Sequence, residues 1–580
     1  MEAKSGSGIM VAGRGHFLLA LHSHLPLVLG HGRWPHGSDW LSEVTIGCYL
    51  PLLEVLQRLA GEGLRSLVTL NISPVLGEQL AHPSYRPEIE TFLQQRLESV
   101  EENRAHFERA GEGRLADLTR FWSRTYQHVL DQFRALDGDL LGAFRRLADA
   151  GVIEPITCAA THGYLPLLGR EESIALQLRA GVAAYTRHFG TIPQGIWLPE
   201  CGYRPRYEWT PPAGQLRNKV RRRRRGIEEF LAAYGLRYFV TDSHLLQGGA
   251  SMSAYRDYYP ALRAVAGPEH PAYRRDRSPY RPYVVASRGG AGEAVAFARD
   301  PHTTLQVWSR DAGYPGDGSY LEFHKKHFPG GIRYWRVTDS KSDLGTKLIY
   351  EPEAARANAD RHAAHFTQLV GQVLDAEGQR SQRPAVTCNP YDTELFGHWW
   401  FEGPDFLASV LRRLPGAGVG LETLGGYLAL QPVSEAITLL EGSWGEGGDH
   451  RVWLNRDTEW TWDMVYAAEE EFWTLAGGIA WEGRPLLARV MAQLARELLL
   501  LQASDWQFLI TSWAARNYAE TRFAEHYAHF VRLANLVRRL AEGQSPVSDE
   551  EQFLAAREAQ DFLFPDVLEH VRAAREVRSL

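Results

Sequence analysis

Short apolar runs that end in polar residues recur through the first two thirds of the chain, and segments of helical periodicity separate them. Near-continuous apolar runs of this kind are typical of parallel strands buried on both faces. The runs lie at residues 16–26, 66–76, 153–166, 195–205, 236–246, 295–300, 305–309 and 384–397, with helices predicted at 42–60, 171–188, 226–234 and 353–376. The alternation predicts an α/β protein of about seven parallel strands, in a barrel or an open sheet, with functional side chains at the strand ends.

Three stretches depart from this alternation. Residues 88–150 are charged and helical in period, and the chain is mostly helical again from residue 410 onward. Residues 247–293 are rich in Gly, Pro, Arg and Tyr, and a long loop of this kind inside a compact domain is usually a functional lid or a connector. The predicted domains are a barrel in two parts (14–82 and 151–410, with the lid loop 247–293), a helical insertion (83–150) and a helical C-terminal domain (411–580) that completes a cleft.

The charge balance argues against some classes of partner. The 580 residues carry 63 basic and 70 acidic side chains, a net charge of −7. Such a balance argues against a general affinity for nucleic acid or for an anionic membrane. We interpret the basic run Arg221–Arg225 as a solvated surface segment rather than a phosphate site, because the protein as a whole is acidic.

Cysteine usage and the first residues predict the compartment. The four cysteines, Cys48, Cys158, Cys201 and Cys388, are widely separated and form no CxxC pair, which predicts free thiols in a reducing compartment. The first residues lack the apolar core of a signal peptide, and the apolar stretch 17–30 is too short to span a bilayer. We therefore expect a cytoplasmic enzyme, and the sequence leaves its oligomeric state open.

Aromatic residues are abundant: 17 Trp, 24 Tyr and 23 Phe make up 11% of the chain. Most of these rings are expected in the core. Flat rings beside Gly, Asp and His also stack on the C–H faces of sugars, so the composition points toward carbohydrate.

The polar residues at the strand ends would meet at one mouth of a barrel. They are His22, His24, His162, Glu200, Asp242, His244, Asp392 and Glu394. Glu200 and Asp392 each close an apolar run beside aromatic residues, and two carboxylates in such a setting suit glycosidic-bond chemistry. One attacks the anomeric carbon, and the other must hold a proton near neutral pH, which requires a pKa raised by burial or by a negative neighbour.

Two alternatives stay open on the residues alone. His22 and His24 lie on one face of a strand, and with His162, Asp242 and His244 they could form a zinc site. The same histidines could instead be buried residues that make ordinary hydrogen bonds.

Five segments resemble the family-57 glycoside hydrolases, and among these most closely the α-glucan branching enzymes. They are HSHLP (22–26), ATHGYLP (160–166), GIWLPECGYRP (195–205), NPYDTELFGHWWFEGP (389–404) and EGSWGEGGDHRVWLN (441–455). The similarity extends from about residue 16 to 535 in the same order, and WLPECGY and PYDTELFGHWW are its most specific motifs.

The resemblance implies a distorted (β/α)7 barrel, a helical insertion, an all-helical C-terminal domain and a retaining reaction on α-1,4 glucan without metal or cofactor. By the matching motifs, Glu200 is the expected nucleophile and Asp392 the expected general acid/base. The expected sugar-binding residues are His22, His24, His162, Trp308, Arg310, His398, Trp399, Trp444, Trp453, Asp505 and Trp506.

The catalytic pair does not decide which acceptor is used. A glucose 6-hydroxyl would give an α-1,6 branch, water would make the enzyme an amylase, and a 4-hydroxyl would make it a 4-α-glucanotransferase. In the family a Tyr at the tip of a mobile loop is associated with transfer, and in 247–293 we expect this residue to be Tyr280, with Tyr255 second. A glucan-binding protein without turnover is a third hypothesis, from another functional class.

Overall fold

The computed structural model describes residues 13–214, 221–249, 251–253, 255, 258–265, 275–290, 292–309, 313–339 and 341–577. Among these residues, twelve strands form the sheets. They are β1 (Gly15–Ser23), β2 (Val68–Ile72), β3 (Ile153–Cys158), β4 (Gly195–Trp197), β5 (Tyr207–Trp209), β6 (Arg222–Arg224), β7 (Tyr238–Thr241), β8 (Tyr283–Ala286), β9 (Glu293–Ala298), β10 (Ala385–Asp392), β11 (Val419–Glu422) and β12 (Ala436–Ile437).

Seven of the strands form a distorted parallel barrel. They follow one another in the order β10-β1-β2-β3-β4-β7-β9, and every neighbouring pair is parallel. A single parallel bridge between Arg299 and Cys388 joins the β9 edge to β10 and closes the ring. The barrel core is well buried, as the apolar runs predict: eight of the nine residues of β1 are buried. The prediction of a seven-stranded (β/α) barrel is confirmed.

Helices surround the barrel and continue beyond it. In chain order they are α1 (Ser38–Val44), α2 (Leu50–Gly61), α3 (Pro74–Leu80), α4 (Tyr85–Arg109), α5 (Gly113–Ala135), α6 (Leu140–Asp149), α7 (Glu171–Phe189), α8 (Ile227–Ala233), α9 (Ser243–Gln247), α10 (Pro301–Trp308), α11 (Pro352–Ser381), α12 (Gly403–Gly416), α13 (Leu424–Leu430), α14 (Glu459–Gly478), α15 (Pro485–Leu501), α16 (Asp505–Ser512), α17 (Arg516–Ala541), α18 (Ser548–Gln560) and α19 (Val567–Arg575). None of the described helices is both long and apolar enough to cross a bilayer.

Two predicted elements differ in the structure. The run 305–309, predicted as a strand, lies in α10 and the residue after it. Asp300 explains the difference, because its carboxylate accepts hydrogen bonds from the backbone N–H groups of His302 and Thr303 and caps a helix that begins with Pro301. The helix predicted at 42–60 is interrupted by a π-helical turn at Thr45–Tyr49.

The C-terminal part is less uniform than predicted. It contains two short strands, because β11 pairs with β1 and β12 pairs with β8. From Glu459 onward it is helical, and these helices contact the barrel where α15 leads into α16. There Gly163 forms an antiparallel bridge with Ala503, and the Ser504 N–H donates to the His162 carbonyl oxygen at 3.1 Å. The start of α16 therefore lies at the carboxyl ends of the barrel strands.

Candidate active site

The carboxyl ends of the barrel strands surround a cavity of about 120 Å³. Ten of the residues expected at the site line it: His22, His24, His162, Glu200, Tyr255, Asp392, His398, Trp399, Trp444 and Asp505. The sheet register explains part of this arrangement, because His22 lies opposite Asp392 of β10 on one side and opposite Asn71 of β2 on the other. Parallel strands thus bring side chains that are far apart in sequence to one edge.

Glu200 lies in a tight turn directly after β4. Its φ of 59° is left-handed, and the next residue, Cys201, has a φ of 48°. Residues with a Cβ adopt this region only at a cost on the order of 1 kcal/mol or more, and such strain concentrates at functional sites. The turn aims the Glu200 carboxylate into the cavity, where Oε2 accepts from Trp444 Nε1 at 2.8 Å and Oε1 lies 3.2 Å from Ser504 Oγ.

Asp392 is the last residue of β10 and lines the same cavity. The Tyr255 hydroxyl donates to its Oδ2 at 2.6 Å. Arg299, whose positive charge also acts on Asp392, forms a buried ion pair with Asp242. The hydrogen bond that the structure gives this carboxylate therefore comes from the segment predicted to be a lid.

Burial raises the pKa of both carboxyls. It brings the pKa of Glu200 to about 8, with the charges of Asp392 and Asp505 acting in the same direction and the Trp444 hydrogen bond opposing them. It brings the pKa of Asp392 to about 6, although the Tyr255 hydrogen bond and the charge of Arg299 lower it. Between about pH 6 and 8 the pair therefore holds one proton, and a retaining double displacement needs one ionised and one protonated carboxyl.

His22 and His162 form a buried imidazole pair behind Glu200. Their Nε2 atoms lie 3.0 Å apart. His22 Nδ1 lies 2.7 Å from Asn71 Oδ1, and His162 Nδ1 lies 2.8 Å from Ser504 Oγ. Burial and the neighbouring imidazoles lower the pKa of both rings well below the usual value, so both are neutral near pH 7.

The predicted zinc set is not assembled. Ligand atoms of His24, His162 and Asp505 lie within 4.8 Å of one another, and His24 Nε2 is hydrogen-bonded to Asp505 Oδ1 at 3.0 Å. Asp242 is instead paired with Arg299, and the His244 Nε2–H donates to the Gly448 carbonyl at 3.0 Å. His22, His24 and His162 thus make ordinary hydrogen bonds to protein groups.

Comparison with known proteins identifies the family. Residues 18–420 match the family model described as glycosyl hydrolase family 57, and residues 464–571 match the model described as 1,4-alpha-glucan branching enzyme, C-terminal. The chain belongs to glycosyl hydrolase family 57. A 1,4-alpha-glucan branching enzyme of Thermococcus kodakarensis is 41% identical over 537 residues, which cover 92% of this chain and 75% of that protein.

Two solved structures share this architecture. The GH57-type branching enzyme of Pyrococcus horikoshii superposes with a TM-score of 0.86 at 38% identity, covering 98% of each chain. The alpha-amylase AmyC of Thermotoga maritima superposes with a TM-score of 0.77 at 27% identity, covering 97% of this chain and 100% of that one. Chains named as a branching enzyme and as an alpha-amylase therefore share the fold of this family 57 chain.

Three of the five tryptophans expected to contact sugar lie behind the cavity wall rather than on it. Trp308, Trp453 and Trp506 are each 0% exposed. Trp308 packs its ring against Tyr255, Trp453 stacks on Tyr164, and the Trp506 Nε1–H donates to a backbone carbonyl. They support the wall by packing, since large apolar rings pack well in a core. Arg310 lies outside the described residues.

The structure reverses the order of the two candidate lid tyrosines. Tyr255 lines the cavity and donates to Asp392. The Tyr280 hydroxyl donates to Asp300 Oδ1 at 3.1 Å, and the Tyr280 carbonyl accepts from the Val386 N–H of β10. Asp300 is the cap of α10, so Tyr280 is tied to the barrel and is not part of the cavity wall.

Sequence reasoning named Glu394 among the strand-end residues but gave it no role at the site. Glu394 is a third buried carboxyl of the cavity, which accepts from the Tyr49 hydroxyl at 2.5 Å and whose pKa is raised to about 8 by burial and by Asp392. The lining residues that sequence reasoning missed are Leu25, Pro26, Trp40, Tyr259, Phe508 and Leu509. Ser504 and Asn71 orient the histidine pair, and no motif or spacing in the sequence indicates that they belong to the site.

Proposed function

We propose that this chain is a 1,4-alpha-glucan branching enzyme, which cleaves an α-1,4 glucan and transfers the chain to a glucose 6-hydroxyl. One observation carries the proposal. The region 464–571, which matches the branching-enzyme C-terminal model, supplies Asp505, Phe508 and Leu509 to the wall of the cavity that holds Glu200 and Asp392. The part of the chain that matches the branching-enzyme C-terminal model thus contacts the reaction space.

The proposed mechanism is a double displacement. Glu200 attacks C1 of the donor glucose while Asp392 protonates the departing glycosidic oxygen, and a covalent glycosyl-enzyme forms. Asp392, now ionised, then removes the proton of an incoming 6-hydroxyl, whose oxygen attacks C1 and releases Glu200. Each step inverts the anomeric carbon, so the product is again α-linked.

The proton of the carboxyl pair must lie on Asp392 for the first step. In the free cavity it lies mainly on Glu200, because the pKa of Glu200 is about 8 and that of Asp392 about 6. The reactive arrangement is therefore the less populated form of the singly protonated pair. We expect a bell-shaped kcat/KM profile between about pH 6 and 8, whose lower limb follows Asp392 and whose upper limb follows Glu200.

Tyr255 is proposed to favour transfer over hydrolysis. Its hydroxyl donates a hydrogen bond to Asp392 Oδ2, and its ring contacts the rings of Trp444 and Phe508 across the cavity. Water at about 55 M competes with any sugar acceptor, so a transferase must keep water from the base and hold the acceptor in reactive geometry. A ring that covers Asp392 serves this requirement.

The main alternative is an α-amylase or a 4-α-glucanotransferase on the same glucan. The AmyC likeness favours it, because an amylase shares this fold at 27% identity. Incubation of the pure protein with amylose, followed by NMR, separates the reactions: branching creates α-1,6 anomeric signals, hydrolysis creates reducing ends without them, and 4-α-transfer changes only chain length. Absence of new α-1,6 linkages would refute branching, and amylose binding without turnover would favour a glucan-binding protein.

The same assay needs matched variants. Glu200→Ala should abolish all three products, whereas Glu62→Ala, at a solvent-exposed glutamate paired with Arg412, should behave as wild type. Full turnover by Glu200→Ala would refute the nucleophile assignment. We also propose a cytoplasmic setting in glycogen-type synthesis, which the four buried free thiols support, because disulfides persist in oxidising compartments.

A further inference from the structure

One continuous chain of hydrogen bonds joins Glu200 to a backbone carbonyl deep in the barrel. Its members are Ile156 O, Asn71, His22, His162, Ser504 and Glu200, and its successive distances are 3.0, 2.7, 3.0, 2.8 and 3.2 Å. It crosses three barrel strands and reaches Glu200 through Ser504, the residue before α16. We call it the imidazole chain.

The far end fixes the direction of the imidazole chain. A carbonyl oxygen can only accept, so the Asn71 Nδ2 group donates to Ile156 and Asn71 Oδ1 faces His22. The Nδ1 of His22 must therefore carry the hydrogen. A neutral imidazole has one donor and one acceptor nitrogen, so the Nε2 of His22 accepts, and His162 donates from its own Nε2.

The direction reaches Glu200 through Ser504. Because His162 donates from Nε2, its Nδ1 accepts, and the hydroxyl of Ser504 donates to it. A hydroxyl has a single hydrogen. The contact between Ser504 Oγ and Glu200 Oε1 then requires that the Glu200 carboxyl donate its own proton. The neutral histidine pair thus selects the carboxylic acid form of Glu200.

We propose that Ser504 is a positioning residue that couples the protonation of Glu200 to the tautomers of the His22–His162 pair. Ionisation of Glu200, which attack on the sugar requires, must turn the Ser504 hydroxyl from His162 to Glu200. This inference rests on the proposed role of Glu200 as nucleophile. It predicts that removal of Ser504 lowers the pKa of Glu200. Removal of a serine that simply donates to a carboxylate, and thereby lowers its pKa, would instead raise it.

The surroundings hold Ser504 in place for this role. Ser504 is fully buried, its N–H donates to the His162 carbonyl at 3.1 Å, and the preceding Ala503 bridges Gly163. Other ionisable groups also face Glu200 from the elements packed around it. They are His22, His24, Cys158, His162, Tyr164, Cys201, Tyr255, Asp392, Glu394 and Asp505, with Arg299 behind Trp444. The test must therefore compare variants that leave these groups unchanged.

The decisive measurement is the pH profile of kcat/KM for Ser504→Ala. Loss of the acceptor for the Glu200 proton should make Glu200 easier to ionise and move the upper limb, near pH 8, to lower pH by about 0.5–1 unit. A limb that moves to higher pH would mean that Ser504 donates to Glu200, and the proposal would be wrong. An unmoved limb, with any change in rate, would show a merely structural serine.

Two variants calibrate the direction in which the upper limb of the kcat/KM profile moves. Trp444→Phe removes an N–H that can only donate to Glu200, so the same limb should move to higher pH. Ser73→Ala removes a matched serine that is hydrogen-bonded to His24 Nδ1 at 2.8 Å, outside the imidazole chain, and should leave the limb in place. If Ser504→Ala and Trp444→Phe shifted the limb in one direction, the proposed direction of the imidazole chain would be refuted.

A measurement on the substrate-free protein is independent of folding of the serine variant. In histidine-selective ¹⁵N NMR, the chemical shift of His162 Nδ1 should change in a step as Glu200 loses its proton, because the Ser504 hydroxyl then turns away from His162 Nδ1. Glu200→Gln, whose amide donates at every pH, should abolish the step. A wild type without the step, or a step that survives in Glu200→Gln, would contradict the coupling. Failure of the nucleophile assignment, on which this inference rests, would appear separately, as full turnover by Glu200→Ala.

Discussion

The two carboxyls proposed to be catalytic lie on walls of different construction. Glu200 is held by barrel and C-terminal residues: a strained turn after β4, the Trp444 indole and the buried Ser504. Asp392 lies at the end of β10, and its hydrogen-bond donor is Tyr255, from a segment of which the structure describes only parts. The Glu200 wall is built into the packed core, whereas the Asp392 wall is completed from the lid segment.

This difference assigns the two walls different tasks. A nucleophile must be in place before the donor sugar arrives, and fixed neighbours serve that need. A general acid/base must face a leaving group in one step and an acceptor in the next. Its hydrogen-bond partner must therefore be able to move away when either group binds. The proposed choice between water and sugar therefore belongs to the Asp392 wall.

The largest expected effects separate the two carboxyls by chemistry. Glu200→Ala should lose about 10³-fold or more of turnover with every donor, because no covalent intermediate can form. Asp392→Ala should lose a similar factor on amylose but keep much of the first step with an α-glucosyl fluoride, whose leaving group needs no proton. Azide should then give a β-glucosyl azide with Glu200→Ala and an α-glucosyl azide with Asp392→Ala. The reverse pattern would exchange the two roles.

A smaller effect, on stability, concerns the support of the Asp392 wall. Asp242→Asn leaves the buried Arg299 guanidinium without its carboxylate and should cost about 3–5 kcal/mol, measured by urea unfolding near pH 7. Arg299 lowers the pKa of Asp242 well below its usual value. In wild type this stability is therefore present above the ordinary aspartate pKa of about 4 and is lost as the pH falls below it. A cost that stayed unchanged at pH 3 would contradict this account.

The smallest effect tests the lid. Tyr255→Phe should lower the ratio of branching to hydrolysis by about tenfold. The substitution removes one hydrogen bond, and a loss of about 1.4 kcal/mol from the transition state for transfer alone corresponds to a tenfold change in rate. It should also move the lower limb of kcat/KM to higher pH, because the lost bond lowered the pKa of Asp392. Tyr280→Phe, on the same segment but bonded to Asp300, should leave the ratio unchanged. The opposite outcome would restore Tyr280 as the acceptor-side residue.

The alternation of apolar runs and helices was enough to predict a parallel sheet, as a barrel or an open sheet, with its polar residues at the strand ends, and the resemblance to family 57 selected the barrel. Parallel strands buried on both faces leave a continuous apolar trace, and their ends must coincide, so Glu200 and Asp392 could be named in advance. The prediction of a strand at residues 305–309 was wrong, because the cap at Asp300 begins a helix that includes most of this run. The expectations for Trp308, Trp453 and Trp506 came from matches to family motifs, and such a match does not distinguish a ring on the cavity wall from a ring behind it.

The sequence by itself determined the barrel, the two carboxyls and the histidines of the first strand, because periodicity and motif are local properties of a chain. Only the tertiary structure decided that Ser504 meets Glu200 across 304 positions, and that Tyr255 rather than Tyr280 meets Asp392. The direction of a hydrogen bond depends on what lies at the far end of its network, here one backbone carbonyl of β3. Such a dependence exists only once the strands are side by side.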